Sequence, residues 1–325
     1  MSSRLKADLA LAACTLLWGA TFVVVQRALE SASVFVFMAL RFGLGALVLA
    51  LMYRRAVAAL SRDEIRAGVE IGLFLFCGYA FQNAGLLYTS ASNVAFITGF
   101  GVVLVPLLLA VFWRRRVSGW AGGGAVLALA GLYFLTVPAG AGFAGVNRGD
   151  LLAFVCSVMF ALHIIFIGRY TGKHSVAALT FVQVAASGAL SAAAIPAFAA
   201  AGMEAARLAW TGALIFGVLI TAIGATAIAF SAQVWAQRYT TASHTAILLT
   251  LEPVFAALTS YVVLHERLGP RALIGAGLIL AGILLAELKG PMQSAADSPG
   301  PVTEVAESTT VSETPPSGER ESRDD

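Results

Sequence analysis

The sequence predicts an all-α integral membrane protein in which ten transmembrane helices form two inverted five-helix repeats around a central cavity. Three observations support this fold class: the composition, a series of apolar runs and an internal duplication. Of 325 residues, 59% are hydrophobic and 12% are charged, and the mean hydropathy is +0.84. Because soluble domains carry about 25% charged residues, most of this chain is expected to lie in lipid.

Ten apolar runs are each long enough to cross a bilayer, which takes roughly 20 residues. Each run is predicted to be helical, because lipid offers no hydrogen-bond partner to a free backbone group. Spans 1 to 10 are expected at residues 8–28, 33–53, 67–88, 91–113, 118–137, 149–168, 176–199, 211–236, 242–264 and 269–288. The first run lacks a small-residue cleavage site, which favours a retained span over a signal peptide.

The chain contains an internal duplication. Residues 88–132 align without a gap to residues 239–283, an offset of 151, with 16 of 45 positions identical. A weaker match at an offset of 142 relates spans 1 and 2 to spans 6 and 7. The first repeat is therefore placed at residues 1–140 and the second at 145–289. Two related apolar halves are typical of a membrane transporter whose site lies where the repeats meet.

Lysine and arginine predict the orientation. With a cytoplasmic N-terminus, the loops and span ends on the cytoplasmic side hold thirteen of these residues, and those on the other side hold five. This excess predicts that both termini are cytoplasmic. Five spans per repeat is an odd number, so the second repeat enters the membrane inverted. Residues 290–325 are rich in Ser, Pro, Thr and Glu, which predicts a disordered cytoplasmic tail.

Several function classes find no support in the sequence. A net charge of +3 gives no case for nucleic-acid binding. The three cysteines lie in apolar runs without CxxC spacing, so no disulfide framework or thiolate metal site is indicated. No phosphate-binding loop, HExxH or GxSxG motif is present. We therefore expect a protein that is not an enzyme and that uses no cofactor and no catalytic metal.

The duplication pairs polar side chains across the two repeats. Gln82 in span 3 aligns with Gln233 in span 8, and Asn93 in span 4 aligns with His244 in span 9. A primary amide in hydrocarbon costs a few kcal/mol unless it is hydrogen-bonded or hydrated. Both glutamines are therefore expected to face a central cavity. The alternative is that they join neighbouring helices by hydrogen bonds.

Two ionisable residues lie deep in predicted spans. Counting about 1.5 Å per residue, Arg41 lies about 12 Å below one membrane boundary and Glu252 about 15 Å above the other. In a hydrocarbon core of about 30 Å these depths are similar. Intramembrane ionisable residues commonly mark functional sites, so we expect the two to approach each other directly or through water. The alternatives are that Arg41 reaches the headgroups, and that Glu252 bonds backbone groups freed by Pro253.

Three further residue types leave two interpretations open. His163 is either a proton relay or a packed polar group. Trp18 and Tyr79 either form an aromatic wall for a substrate or serve packing. Glycines at near-helical spacing in spans 5 and 10 let helices approach closely, either inside the chain or in a homodimer. They are Gly119, Gly123, Gly131, Gly275 and Gly282.

Five short segments carry a resemblance to a known family. They are residues 17–22 (LWGATF), 39–42 (ALRF), 88–95 (YTSASNVA), 251–254 (LEPV) and 264–268 (LHERL). Over residues 8–288 the chain resembles the drug/metabolite transporter superfamily, and within it the EamA-type ten-helix transporters. The first repeat departs from the family pattern, because Gly101-Val102 stands where a second Glu-Pro is expected.

The resemblance implies a bacterial inner-membrane carrier of small organic solutes, often an exporter of amino acids or related metabolites. It also implies a central cavity lined by spans 1, 3, 4, 6, 8 and 9. Carried onto this sequence, the cavity holds seven residues. They are Trp18, Tyr79, Gln82, Asn93, His163, Gln233 and Glu252.

These observations predict a secondary transporter that moves a small metabolite by alternating access, with that substrate and the membrane lipid as its partners. The polar substrate groups are assigned to Gln82, Gln233 and Asn93, and a substrate carboxylate to Arg41. Glu252 is the candidate for proton coupling. The alternatives are a flippase or a membrane-embedded enzyme acting on a lipid-linked substrate, and a scaffold protein.

Overall fold

The computed structural model describes residues 3–113, 119–137 and 146–288, and the predicted tail lies outside these ranges. The described part is helical and contains no β-strand. The helices of the first half are α1 Ser3–Leu29, α2 Val34–Met52, α3 Arg54–Ala58, α4 Arg62–Leu86, α5 Ala91–Gly99, α6 Gly101–Trp113 and α7 Gly119–Thr136. Those of the second half are α8 Arg148–Tyr170, α9 Val176–Ala200, α10 Gly212–Leu219, α11 Ala229–Ala236, α12 Ala242–Leu248, α13 Glu252–Val263 and α14 Pro270–Leu288.

Six helical segments of the described chain are long and apolar enough to cross a membrane. They are α1, α2, α4, α8, α9 and the continuous stretch from α10 through α11. A seventh is obtained if α5 and α6, which are bent by 40°, count as one span. The described parts of α7, α13 and α14 are apolar but shorter. The protein is therefore a multi-pass membrane protein.

Three predicted spans are not continuous α-helices. Span 4 breaks at Phe100, between α5 and α6, and span 9 contains a 3₁₀ turn at Leu249–Leu251. The offset of 151 places these two breaks at equivalent positions. Span 8 is wound as a π-helix over Ile220–Ile228, between α10 and α11. A π-helical segment departs from the α-helical hydrogen-bond pattern and often occurs at a functional site.

Polar contacts define two ends of the bundle. Arg238 donates to the carbonyl oxygen of His174, which joins the end of α11 to the end of α8. The side chains of Asp8 and His244 meet at 3.1 Å, which adds the starts of α1 and α12; we call this the N-terminal end. At the opposite end, the Arg27 guanidinium donates to the Val263 carbonyl oxygen at 2.9 Å.

The link before α2 and the link before α9 are held in the same way. At the opposite end, the Glu204 carboxylate accepts from the backbone N–H of Val34 at 2.8 Å, at the start of α2. At the N-terminal end, the Glu64 carboxylate accepts from the backbone N–H of Ser175 at 3.3 Å, just before α9. A carboxylate satisfies backbone donors that a helix start leaves unpaired. The two contacts occupy similar places in the two halves.

The glycine-rich helices α7 and α14 pack against each other. A Cβ atom built on Gly131 would lie 2.6 Å from the carbonyl oxygen of Gly275, and one built on Gly275 would lie 2.7 Å from that of Gly131. A Cβ on Gly282 would lie 2.6 Å from the Gly124 carbonyl oxygen. The internal contact is thus one use of these glycines. A homodimer through the same helices stays a prediction.

Candidate functional site

One cavity lies among residues of both halves, near the middle of the helices. Its empty volume is about 780 Å³ when the open solvent at its mouth is included. We call it the central cavity. Its polar and aromatic lining consists of Trp18, Thr21, Phe22, Arg41, Tyr79, Gln82, Thr98, Phe160, His163, Phe230, Gln233 and Glu252. Seven of the eight residues predicted for the site therefore border one space.

Arg41 is the charged centre of this lining, with only 1% of its surface exposed. Its Nε donates to the hydroxyl of Thr226 at 2.9 Å, and one terminal nitrogen donates to the hydroxyl of Tyr79 at 3.0 Å. The guanidinium carbon lies 4.2 Å from the centre of the Tyr79 ring. These contacts fix the guanidinium in the bundle interior, so the structure does not support the alternative that Arg41 reaches the headgroups.

The π-helical segment supplies two of the contacts that shape the site. Thr226 accepts the Arg41 bond, and the Ala225 carbonyl oxygen accepts the indole N–H of Trp18 at 2.8 Å. Gly45 allows this approach, because a Cβ atom there would lie 2.9 Å from the Thr226 side chain. No sequence signal indicated the π-helix, and Thr226 was missed as a partner of Arg41 for that reason.

The two aligned glutamines both border the central cavity, as expected from the duplication. Gln82 is 7% exposed and Gln233 is 2% exposed. Among the described residues, no hydrogen bond holds the Gln82 amide, and the Gln233 side-chain oxygen is buried without a partner. An amide left unbonded in a protein interior is unfavourable. These groups are thus available to a ligand or to water.

Glu252 enters the cavity at the first residue of α13, directly after the 3₁₀ turn. Pro253 follows at a position where a helix needs no N–H donor. A negative charge is favoured at a helix N-terminus. Gly19 lets α1 pack tightly here, because a Cβ atom on it would lie 2.7 Å from the Glu252 carbonyl oxygen.

Arg41 and Glu252 border the same cavity without forming an ion pair. Among the described residues, no carboxylate lies within the 4.0 Å that defines an ion pair with Arg41. No hydrogen bond from a described residue reaches the Glu252 side chain either. The expected direct approach is therefore absent, and the cavity separates the two groups.

His163 borders the cavity and is hydrogen-bonded to a residue that does not line it. It is 2% exposed, and its Nε2 lies 2.8 Å from the side-chain oxygen of Gln183. Its ring also packs against Phe160 and Phe230. The two phenylalanines, together with Trp18 and Tyr79, form an aromatic wall. Sequence reasoning missed both phenylalanines, because the chain has twenty and nothing marked these two.

Asn93 does not reach the central cavity. Ser90 caps α5 by accepting from the backbone N–H of Asn93, which places Asn93 in the first helical turn at the opposite end of the bundle. It borders a second cavity of about 740 Å³ empty volume, together with Asp150 and Arg271. Its placement in the central cavity was therefore wrong, since α5 begins only two residues before it.

Comparison with known proteins is consistent with this geometry. The model of the EamA-like transporter family matches residues 5–137 and again residues 147–288. The chain belongs to the EamA-like transporter family. The resemblance to this family is thereby confirmed, and the protein is an EamA-type member of the drug/metabolite transporter superfamily.

Relatives with transporter names extend the comparison. An uncharacterized transporter of Archaeoglobus fulgidus is 38% identical over 291 residues, which cover 88% of this chain and 87% of the relative. The uncharacterized transporter YoaV of Bacillus subtilis is 22% identical over 86% of this chain and 96% of its own length. A crystal structure of another protein matches with a TM-score of 0.63 at 21% identity, covering 87% of this chain and 97% of that one. The last likeness concerns the fold alone.

Proposed function

We propose that this protein is a secondary transporter that exports an amino-acid-like metabolite across the bacterial inner membrane by alternating access. The observation that carries this proposal is the pair of Arg41 and Glu252, which border one cavity without neutralising each other. A buried charge without a partner is costly. A substrate that brings a carboxylate to Arg41 and an ammonium group to Glu252 would give each of them an oppositely charged partner.

The remaining lining suits the same substrate. The free amides of Gln82 and Gln233 offer hydrogen bonds to polar groups, and Trp18, Phe160 and Phe230 offer an apolar surface. Ligand sites usually combine an apolar wall with a few placed polar groups. Because the relatives carry transporter names, the alternative of a lipid-linked substrate gains no support from them.

The proposed topology has ten crossings in two inverted repeats, with both termini in the cytoplasm. The equivalent breaks in spans 4 and 9 support it, and so do the similar carboxylate contacts at the two ends. Inverted repeats with discontinuous helices at the site are typical of alternating-access carriers. The N-terminal end of the bundle is then its cytoplasmic end.

Counterflow in proteoliposomes tests the proposal. Vesicles are loaded with unlabelled amino acids, nucleosides, sugars or amines, and uptake of the labelled compound is followed. We expect saturable counterflow of a zwitterion and none of the matching amine or ester that lacks the carboxylate. Arg41→Ala should abolish it. Counterflow of the decarboxylated amine at the zwitterion's rate would contradict the proposed role of Arg41.

A further inference from the structure

Two polar contacts occupy equivalent positions in the two repeats. Asp8 meets His244 at 3.1 Å between Oδ1 and Nε2. Asp150 Oδ1 accepts from the Thr89 hydroxyl at 2.8 Å, and the Asn93 amide donates to the same hydroxyl oxygen at 3.4 Å. The offset of 142 pairs the two aspartates. The offset of 151 pairs His244 with Asn93.

The two contacts lie at opposite ends of the bundle. Asp8 and His244 lie at the N-terminal end, near the end of α8 at His174. Asp150 lies at the start of α8, so about 35 Å of helix separates it from His174 at 1.5 Å per residue. Each contact also joins one repeat to the other. In an alternating-access carrier, opening one end of the bundle would therefore break the contact at that end.

The contact at the N-terminal end lies beside a closed apolar cluster. Ala7, Leu11 and Ala236 are fully buried together, with Trp235 and Leu248 packed against them. The lining of the central cavity instead extends to Val25 and Leu86, near the opposite end. A route from the central cavity to the N-terminal end past these side chains opens when this cluster and the adjacent Asp8–His244 contact separate.

The chemistry of the two contacts differs in one respect. The Asp150 contact is made by a neutral hydroxyl and a neutral amide, neither of which takes up a proton near neutral pH. The Asp8 contact is made by an imidazole, the ordinary side chain that changes charge between about pH 5 and pH 8. A protonated imidazole turns the hydrogen bond into a charge-assisted one, roughly twice as strong.

The other charged groups at this end do not replace Asp8. The described residues of α6 and the described side chains of α14 near α12 include no titratable group, and the Glu287 side chain lies outside those described. Helix α1 brings basic residues one turn before Asp8, and α8 and α11 bring basic residues at their ends. These are Arg4, Lys6, Arg169, Lys173, His174 and Arg238, so His174 is a second imidazole at this end. Among the described side chains, Asp8 is thus the one acid that contacts His244.

We infer that Asp8 and His244 form a proton-responsive closing contact at the N-terminal end, and that Thr89, Asp150 and Asn93 form its counterpart at the opposite end, a contact that contains no imidazole. The role in transport rests on the proposed function, whereas the contact itself does not. Protonation of His244 strengthens the closed arrangement, so closure is favoured as pH falls and weakened as pH rises. Both side chains are partly exposed, at 30% and 27%, so solvent limits the effect to about two- to five-fold.

Hydrogen exchange of the full-length protein in lipid nanodiscs tests this inference without any substrate. Backbone exchange in residues 242–248 is measured from pH 5.5 to pH 8, after correction for the intrinsic pH dependence of exchange. We expect protection of this segment to fall about two- to five-fold as pH rises. His244→Asn places the side chain of the opposite end here and should remove the pH dependence.

Asp8→Asn is the second variant, because it removes the acid while leaving the histidine. It should also remove the pH dependence, whereas Asp150→Asn should leave that of residues 242–248 intact. Thermal unfolding and a single size-exclusion peak show that each variant is folded. Wild-type pH dependence in folded His244→Asn, or none in the wild type, would overturn the inference. Failure of the counterflow experiment would leave these exchange results unaffected, so the two failures are distinguishable.

Discussion

The two repeats share their frame but differ in their charges. Span 4 and span 9 break at equivalent positions, and the two glutamines border one cavity from equivalent sites. By contrast, Arg41 aligns with the neutral Gln183, and Glu252 aligns with Gly101. The first repeat thus supplies the cation and the second the acid. The equivalent positions of the two repeats thus form one cavity. Positions that differ between the repeats place a guanidinium on one side and a carboxyl group on the other.

The largest effect is expected at the cation of the first repeat. Arg41→Lys keeps the charge but cannot span both the Thr226 hydroxyl and the Tyr79 hydroxyl as the guanidinium does. Lysine is a point charge without the planar fork of arginine. We expect zwitterion counterflow to fall on the order of 100-fold, since disrupting a buried bonded charge costs about 2–5 kcal/mol. A fall of less than threefold in the rate of counterflow would mean that a positive charge alone is sufficient for transport.

Substitution of Glu252, the acid of the second repeat, is expected to affect proton-driven transport more strongly than substrate binding. Glu252→Gln keeps the shape and a hydrogen-bonding group but cannot release a proton. We propose that uphill transport driven by an imposed pH gradient is lost, while counterflow without a gradient falls less than about tenfold, a change of 1.4 kcal/mol. Both are measured in the same proteoliposome preparation. Gradient-driven transport at the wild-type rate would remove Glu252 from coupling.

A smaller effect is expected where the repeats are alike. Gln82→Ala combined with Gln233→Ala should raise the KM for counterflow about tenfold, because each lost hydrogen bond costs about 0.5–1.5 kcal/mol. Asn83→Leu is a matched control. Asn83 is fully buried beside Gln82, does not border the cavity, and has no hydrogen-bond partner among the described residues. An equal change in KM for the control would assign the glutamine effect to packing.

The sequence was sufficient to predict which deep polar residues border the central cavity. Arg41, Gln82, Gln233 and Glu252 were selected because polar groups are costly in lipid. Counting the rise per residue gave similar depths for Arg41 and Glu252, and the repeat paired the two glutamines. Asn93 was misplaced because the family resemblance assigned span 4 to the cavity lining, although the predicted span already began two residues before Asn93. Its true location depends on the Ser90 cap, which fixes where α5 begins.

Other features could not have been read from the sequence. The π-helix over Ile220–Ile228 packs against Gly45 and Arg41, and its composition does not differ from that of an α-helix. The absence of an ion pair between Arg41 and Glu252 is also a tertiary property. In the structure the guanidinium donates to the hydroxyls of Thr226 and Tyr79 and not to the acid.

The last prediction concerns stability rather than transport, at the α7–α14 contact, which is again shared by the repeats. A Cβ atom on Gly275 would meet the Gly131 carbonyl oxygen at 2.7 Å, whereas one on Gly277 has no neighbour within 4 Å. Gly275→Ala should therefore lower the free energy of unfolding by about 1–3 kcal/mol. Gly277→Ala, two residues along the same helix, should be neutral or raise it by about 0.5–1 kcal/mol.

Thermal unfolding of the two variants in one detergent measures the difference. Equal melting temperatures for Gly275→Ala and Gly277→Ala would show that α7 and α14 are not packed through their glycine faces. A lower melting temperature for Gly277→Ala alone would show that α14 makes a close contact through the face that carries Gly277. That outcome would favour an intermolecular glycine seam, because a Cβ atom on Gly277 meets no atom of the described residues within 4 Å.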